Sequence, residues 1–438
     1  MGMTEPRDMT GASDRPALAR LLGGAGLAFV LRAFGAACAF ALNVVIGRLL
    51  GAEGAGLYFL ALSLASVGAV VSRLGLDHAL LRFVSRGAAR RDWPGVRGAF
   101  ALGLGLSLAA GLGLALGLGL AAPRIAAGLF GQPDLAGPLR AIAPSICGFG
   151  AMLVIAESLK GLGRVRDAML VSGVLYPVVA LALIWPLAGM FGPSGAALAY
   201  ALGTGLAALY GLRAWRRAVP AEPPGRSLAA GPLWQSARSL WVMSLVNSAL
   251  LPWAPLFLLG IWGGAEEAGL LGAALRISVL VTFFLAAVNT VAAPAFAALE
   301  TRGDREGLRR TASRLALAVL LASSPVLAAM LVWPGRVMGL FGPDFVAGAP
   351  VLAILALGQA VNAATGSVGY LLMMTGHERD MRNAALLAAA VMAVAALGLI
   401  PAFGAVGAAL AGALAIAAAN LTNAWQVRRR LGFWLLPR

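Results

Sequence analysis

Residues 98–121 read GAFALGLGLSLAAGLGLALGLGLA and contain no charged side chain. An apolar stretch of this length can cross the hydrocarbon core of a bilayer as a helix. Similar stretches recur along the 438-residue chain, in which 60% of residues are hydrophobic and 12% are charged. That charged share is roughly half of the usual value for a soluble domain. The composition therefore predicts an all-α, polytopic membrane protein, and it excludes a soluble enzyme, a secreted disulfide scaffold and a disordered chain.

The apolar stretches predict about twelve transmembrane helices in two groups of six. The predicted spans are approximately 25–47, 55–78, 98–121, 139–159, 168–190 and 193–212, then 238–261, 268–294, 311–333, 347–374, 382–402 and 404–425. The resulting division is an N-terminal tail (1–19), a first six-helix repeat (20–212), a proline- and arginine-rich linker (213–232), a second six-helix repeat (233–427) and a C-terminal tail (428–438).

The basic residues predict the orientation. Most of the 34 Lys and Arg residues fall in loops on one side of the predicted bundle. The positive-inside rule assigns that side to the cytoplasm, and an even number of helices places both termini there. The net charge of +16 is explained in this way, so no nucleic-acid partner is expected.

Short sequence matches indicate that the two groups of helices are repeats. Residues 51–57 read GAEGAGL and residues 264–270 read GAEEAGL, while GLFG occurs at both 128–131 and 339–342. Repeats of six helices enter the membrane in the same direction, so they are related by an axis along the membrane normal with a cavity between them. This organisation is typical of a transporter that works by alternating access.

Two arginines within the predicted spans are candidates for binding an anionic substrate. An arginine at mid-membrane costs about 2.5–3.5 kcal/mol on insertion scales, so it needs a partner or a function. Arg276 in the eighth span is the strongest candidate for a phosphate group; the alternatives are capping by backbone carbonyls and snorkelling to the interface. Arg32 in the first span could face the cavity or simply reach the cytoplasmic interface.

The embedded acids each have a basic neighbour. Arg73 and Asp77 are four residues apart and are predicted on one helix face, where an intrahelical ion pair competes with a role in substrate binding or gating. Glu157 precedes Lys160 by three residues and can pair with it. Glu157 and Asp77 are also the candidates for coupling transport to protons or sodium.

Neutral polar side chains in later spans could bind sugar hydroxyls or link helices. They are Asn247 in the seventh span and, three residues apart in the tenth, Gln359 and Asn362. Cys38 and Cys147 lie inside apolar segments, so neither a disulfide nor a metal site is predicted. The phosphate-binding motif GxxxxGK[ST] does not occur, and no cofactor is expected.

Three segments resemble the polysaccharide transporter family: 47–58 (GRLLGAEGAGLY), 74–83 (LGLDHALLRF) and 160–164 (KGLGR). These are the O-antigen and exopolysaccharide repeat-unit flippases of the multidrug/oligosaccharidyl-lipid/polysaccharide (MOP) superfamily, and the resemblance covers nearly the whole chain. It implies a MATE-like arrangement of two parallel repeats around a central cavity, in the bacterial inner membrane, and a protein that is not an enzyme. The implied cargo is an undecaprenyl-pyrophosphate-linked oligosaccharide, and the implied partners are membrane lipids, a polysaccharide polymerase and glycosyltransferases.

Several other transporters are alternatives. A multidrug exporter of the same superfamily typically has a cation-coupling acid in span one or in spans seven and eight, where this chain has Arg32 and Arg276. A lipid II flippase would also need interior cations but usually has about two more helices. A major facilitator for sugar phosphates would carry GxxxDRxGRR between spans two and three, which residues 85–92 do not match. A membrane-embedded glycosyltransferase would need a larger external loop.

Overall fold

The computed structural model describes residues 15–220, 237, 241 and 244–434, without the side chains of 15–29, 247, 290 and 291. Every regular element in these ranges is helical and none is a strand, which confirms the all-α prediction. The helices are α1 (Arg15–Ser72), α2 (Leu76–Ala89), α3 (Trp93–Arg124), α4 (Ala136–Ile142), α5 (Ser145–Gly161), α6 (Val165–Met169), α7 (Tyr176–Ala218), α8 (Leu251–Trp262), α9 (Ala265–Thr301), α10 (Arg305–Val332), α11 (Pro334–Met338), α12 (Ala349–Thr365), α13 (Val368–Met374) and α14 (Glu378–Leu431). Short π turns extend α3 through Leu129, link α6 to α7 and precede α8.

Eight helical segments of the described chain are long and apolar enough to cross a membrane, which confirms a multi-pass protein. The segment Val165–Ala218 has 54 residues and would be about 80 Å long as one helix, over twice the thickness of the hydrocarbon core. It breaks at Gly192, whose φ is 55°. Gly203 then lies so close to the Tyr176 carbonyl that no β-carbon would fit. The two parts of this segment therefore run antiparallel.

Helices α1 and α14 contain equivalent breaks. Gly51 has φ 67°, and Gly404 has φ 52° with ψ −129°, close to the ψ of −133° at Gly192. Positive φ is unfavourable for residues with a β-carbon, so glycine permits these three breaks. The breaks match three of the predicted boundaries between spans, while the total of twelve helices stays a prediction.

The repeat predicted from sequence is visible in the backbone. Asp92 caps α3 by accepting a hydrogen bond from the Gly95 N–H at 3.0 Å, and Asp304 caps α10 in the same way with Gly307 at 2.7 Å. Short 3₁₀ helices follow at Pro133–Leu135 and Pro343–Gly348. Both halves thus build corresponding turns from corresponding residues.

The division at 213–232 stays a prediction. Helix α7 continues to Ala218, inside the predicted linker, and residues 221–232 lie outside the described chain. Helix α1 already begins at Arg15 within the predicted N-terminal tail, and α14 reaches Leu431 in the predicted C-terminal one.

The two halves meet where α1 crosses α9. A β-carbon on Gly56 would overlap the Ala265 carbonyl, and one on Gly269 would overlap the Ala52 carbonyl. Gly56 and Gly269 occupy equivalent positions in the two repeats, and so do Ala52 and Ala265. The contact therefore has approximate two-fold symmetry. At the same end of the bundle, Arg48 Nε donates to the Leu340 carbonyl at 2.8 Å. We call this contact the glycine crossing; it closes one end of the interface between the halves.

Candidate functional site

A central cavity of about 660 Å³ lies beside the interface between the halves. Its walls come from α1, α5 and α7 of the first half and α8 and α9 of the second. Four of the predicted site residues line it: Arg32, Arg73, Glu157 and Arg276. Arg73 follows Gly56 by 17 residues along the chain, about 25 Å in a helix. Arg73 thus reaches the cavity far from the end closed by the glycine crossing, whereas Arg276 follows Gly269 by only 7 residues, about 10 Å in a helix.

Arg276 extends from α9 between aromatic side chains. Its guanidinium carbon lies 4.8 Å from the Trp253 ring centroid and 5.8 Å from that of Phe59. Its Nε atom is buried without a hydrogen-bond partner. Within the described chain no acidic side chain pairs with Arg276 and no backbone carbonyl caps it. A cation held by ring faces alone keeps its N–H groups available for an anion.

Three tyrosines that were not predicted as site residues border the same cavity. Tyr58, Tyr176 and Tyr200 line it together with Phe149. The ring centroids of Tyr176 and Tyr200 are 5.9 Å apart, and Phe149 packs on both. The chain has only 5 tyrosines, so their occurrence inside apolar spans was a usable signal. A buried tyrosine hydroxyl usually has a partner, and none of the described residues hydrogen-bonds to these three.

Arg73 and Asp77 form an ion pair of 2.5 Å, but the prediction that they share one helix face is wrong. Helix α1 ends at Ser72 and α2 begins at Leu76. Between them Leu74 and Gly75 have φ values of 52° and 71°, which no α-helix accommodates. The pair therefore bridges a turn. Both side chains are buried. Asp77 neutralises the charge of Arg73 at the edge of the cavity.

Glu157 and Lys160 also form an ion pair of 2.5 Å, at the end of α5. Arg32 is exposed and makes no ion pair with any described residue. The four cationic side chains on the cavity therefore fall into two groups. Arg73 and Lys160 have carboxylate partners, whereas Arg32 and Arg276 have none in the described chain.

Gln359 and Asn362 lie in a second cavity of about 350 Å³, which is built entirely from the second half. Asn362 Nδ2 donates to Gln359 Oε1 at 3.1 Å. Arg276 and Trp253 border both cavities, so they form the wall between them. The side chain of Asn247 lies outside the described part of the structure.

Two pseudosymmetric helical halves around a basic cavity that is closed at one end define the architecture of a membrane transporter. The chain belongs to the family described as polysaccharide biosynthesis protein, which matches residues 21–300.

Solved structures share the fold. An inward-facing multidrug resistance MATE family transporter of the MOP superfamily superposes with a TM-score of 0.73 at 19% identity, covering 90% of this chain and 94% of that chain. The lipid II flippase MurJ, in an inward closed conformation, gives 0.71 at 15% identity over 92% and 87% of the two chains. An outward-facing MATE transporter gives 0.63 at 17% identity over 93% and 95%. These neighbours confirm the MATE-like fold and are transporters or flippases rather than enzymes. Comparison with curated protein sequences gives no match.

Proposed function

We propose that this protein moves undecaprenyl-pyrophosphate-linked oligosaccharide repeat units across the bacterial inner membrane by alternating access, in O-antigen, capsule or exopolysaccharide synthesis. Both termini are cytoplasmic in this proposal, and a polymerase and glycosyltransferases act beside it. The observation that carries the proposal is Arg276, which is held in the central cavity by aromatic faces and has no acidic partner among the described residues. A diphosphate supplies the missing negative charge, and guanidinium geometry suits it.

The cations have separate roles in this mechanism. Arg276 and Arg32, which lack carboxylate partners among the described residues, bind the diphosphate. Arg73 and Lys160 are already paired, so their contribution is the local basic potential that attracts the anionic head group. A role of Asp77 or Glu157 in ion coupling requires that its pair opens during the cycle.

The basic cavity also distinguishes the alternatives. An excess of cations would repel a cationic drug, which disfavours a multidrug exporter. A lipid II flippase carries the same diphosphate, and nothing in the chemistry of Arg276 separates that cargo from an oligosaccharide repeat unit. The family membership supports the oligosaccharide.

The proposal is tested in a strain that lacks this protein, by measuring surface polysaccharide and the leaflet position of undecaprenyl-linked oligosaccharide. We expect loss of the polymer, with the intermediate held in the cytoplasmic leaflet, and restoration by the wild type. Loss of a charged hydrogen bond costs about 1.5–3 kcal/mol, so Arg276→Gln should reduce transport by roughly tenfold to a hundredfold.

Two variants serve as comparisons. Arg276→Lys keeps the charge but loses the planar fork, so its transport should be intermediate. Arg124→Gln removes the same charge from an exposed position and should leave transport unchanged. Normal polysaccharide in the deletion strain, with new sensitivity to cationic dyes, would overturn the proposal and support a drug exporter.

A further inference from the structure

The second-half cavity combines apolar walls with three amide side chains, Gln359, Asn362 and Asn420. Leu355, Met392 and Ala415 are among the apolar residues that line it, and Gln359 and Asn362 are among the polar ones. None of the described residues that line it is acidic. Arg276, at the wall shared with the central cavity, is its one basic lining residue in the described chain.

Asn420 is already satisfied, because its Nδ2 donates to the Ile416 carbonyl at 2.9 Å and its Oδ1 accepts from Thr365 Oγ1 at 3.3 Å. Gln359 and Asn362, in contrast, retain hydrogen-bonding capacity after they bond to each other. Gln359 is only 6% exposed, and its Oε1 accepts from Asn362 Nδ2 at 3.1 Å. The N–H groups of Gln359 Nε2 and the side-chain oxygen Oδ1 of Asn362 have no partner among the described residues. One donor and one acceptor are thus held next to each other in a mostly apolar cavity, where unused polar groups are costly unless a ligand satisfies them.

We infer that Gln359 and Asn362 recognise two adjacent hydroxyl groups of a neutral sugar ring. One hydroxyl accepts a hydrogen bond from Gln359 Nε2, and its neighbour donates one to Asn362 Oδ1. The apolar walls pack against the C–H groups of the ring. The inference rests on the proposed function, because it assigns the sugar that is attached to the diphosphate bound by Arg276.

The position of Arg276 determines which sugar this is. Arg276 borders both cavities, so a diphosphate bound to it leaves the directly attached ring within reach of the second cavity. That cavity has about 350 Å³ against 660 Å³ for the central one, so it suits a single ring rather than a whole repeat unit. The remaining sugars stay in the central cavity beside Tyr176 and Tyr200. The protein should therefore select its substrate by the sugar that is attached directly to the diphosphate.

The experiment compares three ligands on the purified, full-length protein by titration calorimetry. They are farnesyl diphosphate, farnesyl diphosphate bearing glucose, and the same compound with a tetrahydropyran ring that lacks hydroxyls. Two additional hydrogen bonds of about 0.5–1.5 kcal/mol each should make the wild type bind the glucosyl compound roughly fivefold to a hundredfold tighter than either of the others. Gln359→Leu and Asn362→Leu should lose this gain and keep their affinity for farnesyl diphosphate.

Ser278→Ala is the matched control. Ser278 lines the same cavity, but its hydroxyl already donates to the Leu275 carbonyl at 2.9 Å, so its removal should leave the preference for the glucosyl compound intact. Asn362→Leu removes the acceptor Oδ1 together with the Nδ2 donor to Gln359, and it gives the same test where Gln359→Leu does not fold. A wild type that binds all three ligands equally, with binding reduced by Arg276→Gln, would overturn the sugar subsite alone. Binding that Arg276→Gln does not change would instead overturn the proposed function.

Discussion

Substitution of Gly56 by alanine should shift the protein away from the closed state of the glycine crossing. The added β-carbon would overlap the Ala265 carbonyl of the other half. That contact is to backbone, so no side-chain rotation can relieve it and the helices must separate. Overpacking of this kind costs typically 1–3 kcal/mol. Since about 1.36 kcal/mol changes an equilibrium constant tenfold, the ratio of closed to open protein should change by roughly fivefold to more than a hundredfold.

Gly113→Ala is the appropriate control for this substitution. It adds the same methyl group to a helix, but at a position with nothing within 4 Å of the new atom. Alanine favours helix over glycine by about 1 kcal/mol. This gain applies equally to both conformations, so Gly113→Ala should stabilise the fold without changing the population ratio.

The populations of the closed and open states can be measured by double electron-electron resonance between spin labels on Leu49→Cys and Leu340→Cys. The two native cysteines, Cys38 and Cys147, are replaced by alanine in this background. Both labelled positions are exposed, near the closed end and on opposite halves. Gly56→Ala should increase the fraction of long distances, while Gly113→Ala matches the parent. Identical distance distributions for the two variants would refute the assignment of this crossing as the closed gate.

Two further predictions concern stability. Glu267 accepts a hydrogen bond from the Ala405 N–H at 3.0 Å, just after the break in α14, so Glu267→Ala should cost about 1 kcal/mol as loss of a helix cap and lower the thermal midpoint. Asp77→Asn leaves Arg73 buried with its charge uncompensated and should cost about 3 kcal/mol. The double variant Arg73→Leu/Asp77→Leu should unfold at a higher temperature than Asp77→Asn, and a lower midpoint for the double variant would contradict this reading.

The spans and the repeat could both be predicted from the sequence. Their signals are the lengths of the apolar stretches and the short matches between the two halves, and both stay recognisable in a chain of mostly apolar residues. The lengths of the apolar stretches, and Gly51, Gly192 and Gly404 near their boundaries, already indicate where the chain turns. The break at Leu74 and Gly75 was missed for a physical reason. Apolar residues continue through this region on both sides of Arg73, so hydropathy predicts one uninterrupted helix, and a positive φ at a leucine leaves no sequence signal.

The lining of the cavity was only partly predictable. In a helix that is apolar on every face, the 3.6-residue period does not distinguish the side that faces lipid from the side that faces a cavity. Intramembrane charges supply that information, which is why Arg276, Arg73 and Glu157 were found. Trp253 and the three tyrosines carry no charge. The rarity of tyrosine in the chain marks those three as unusual, but only the three-dimensional structure shows that they and Trp253 face the cavity.

The two halves share the same helix breaks but stabilise them with different contacts. In the second half, the Glu267 carboxylate caps the Ala405 N–H after the break at Gly404. The corresponding position in the first half has Gly54 against Pro193, which has no N–H and needs no acceptor. The same helix break is therefore stabilised in two ways.

The binding surfaces have diverged more strongly, and this bears on transport. The cavity walls in the first half carry three tyrosines and the ion pairs, whereas the second half contributes Trp253, Arg276 and the amides. A diphosphate held by Arg32 of the first half and Arg276 of the second would connect the two halves. A ligand shifts a conformational equilibrium only by its difference in affinity for the two states. A ligand that bridges both halves has such a difference, because movement of the halves changes the distance between its two arginines.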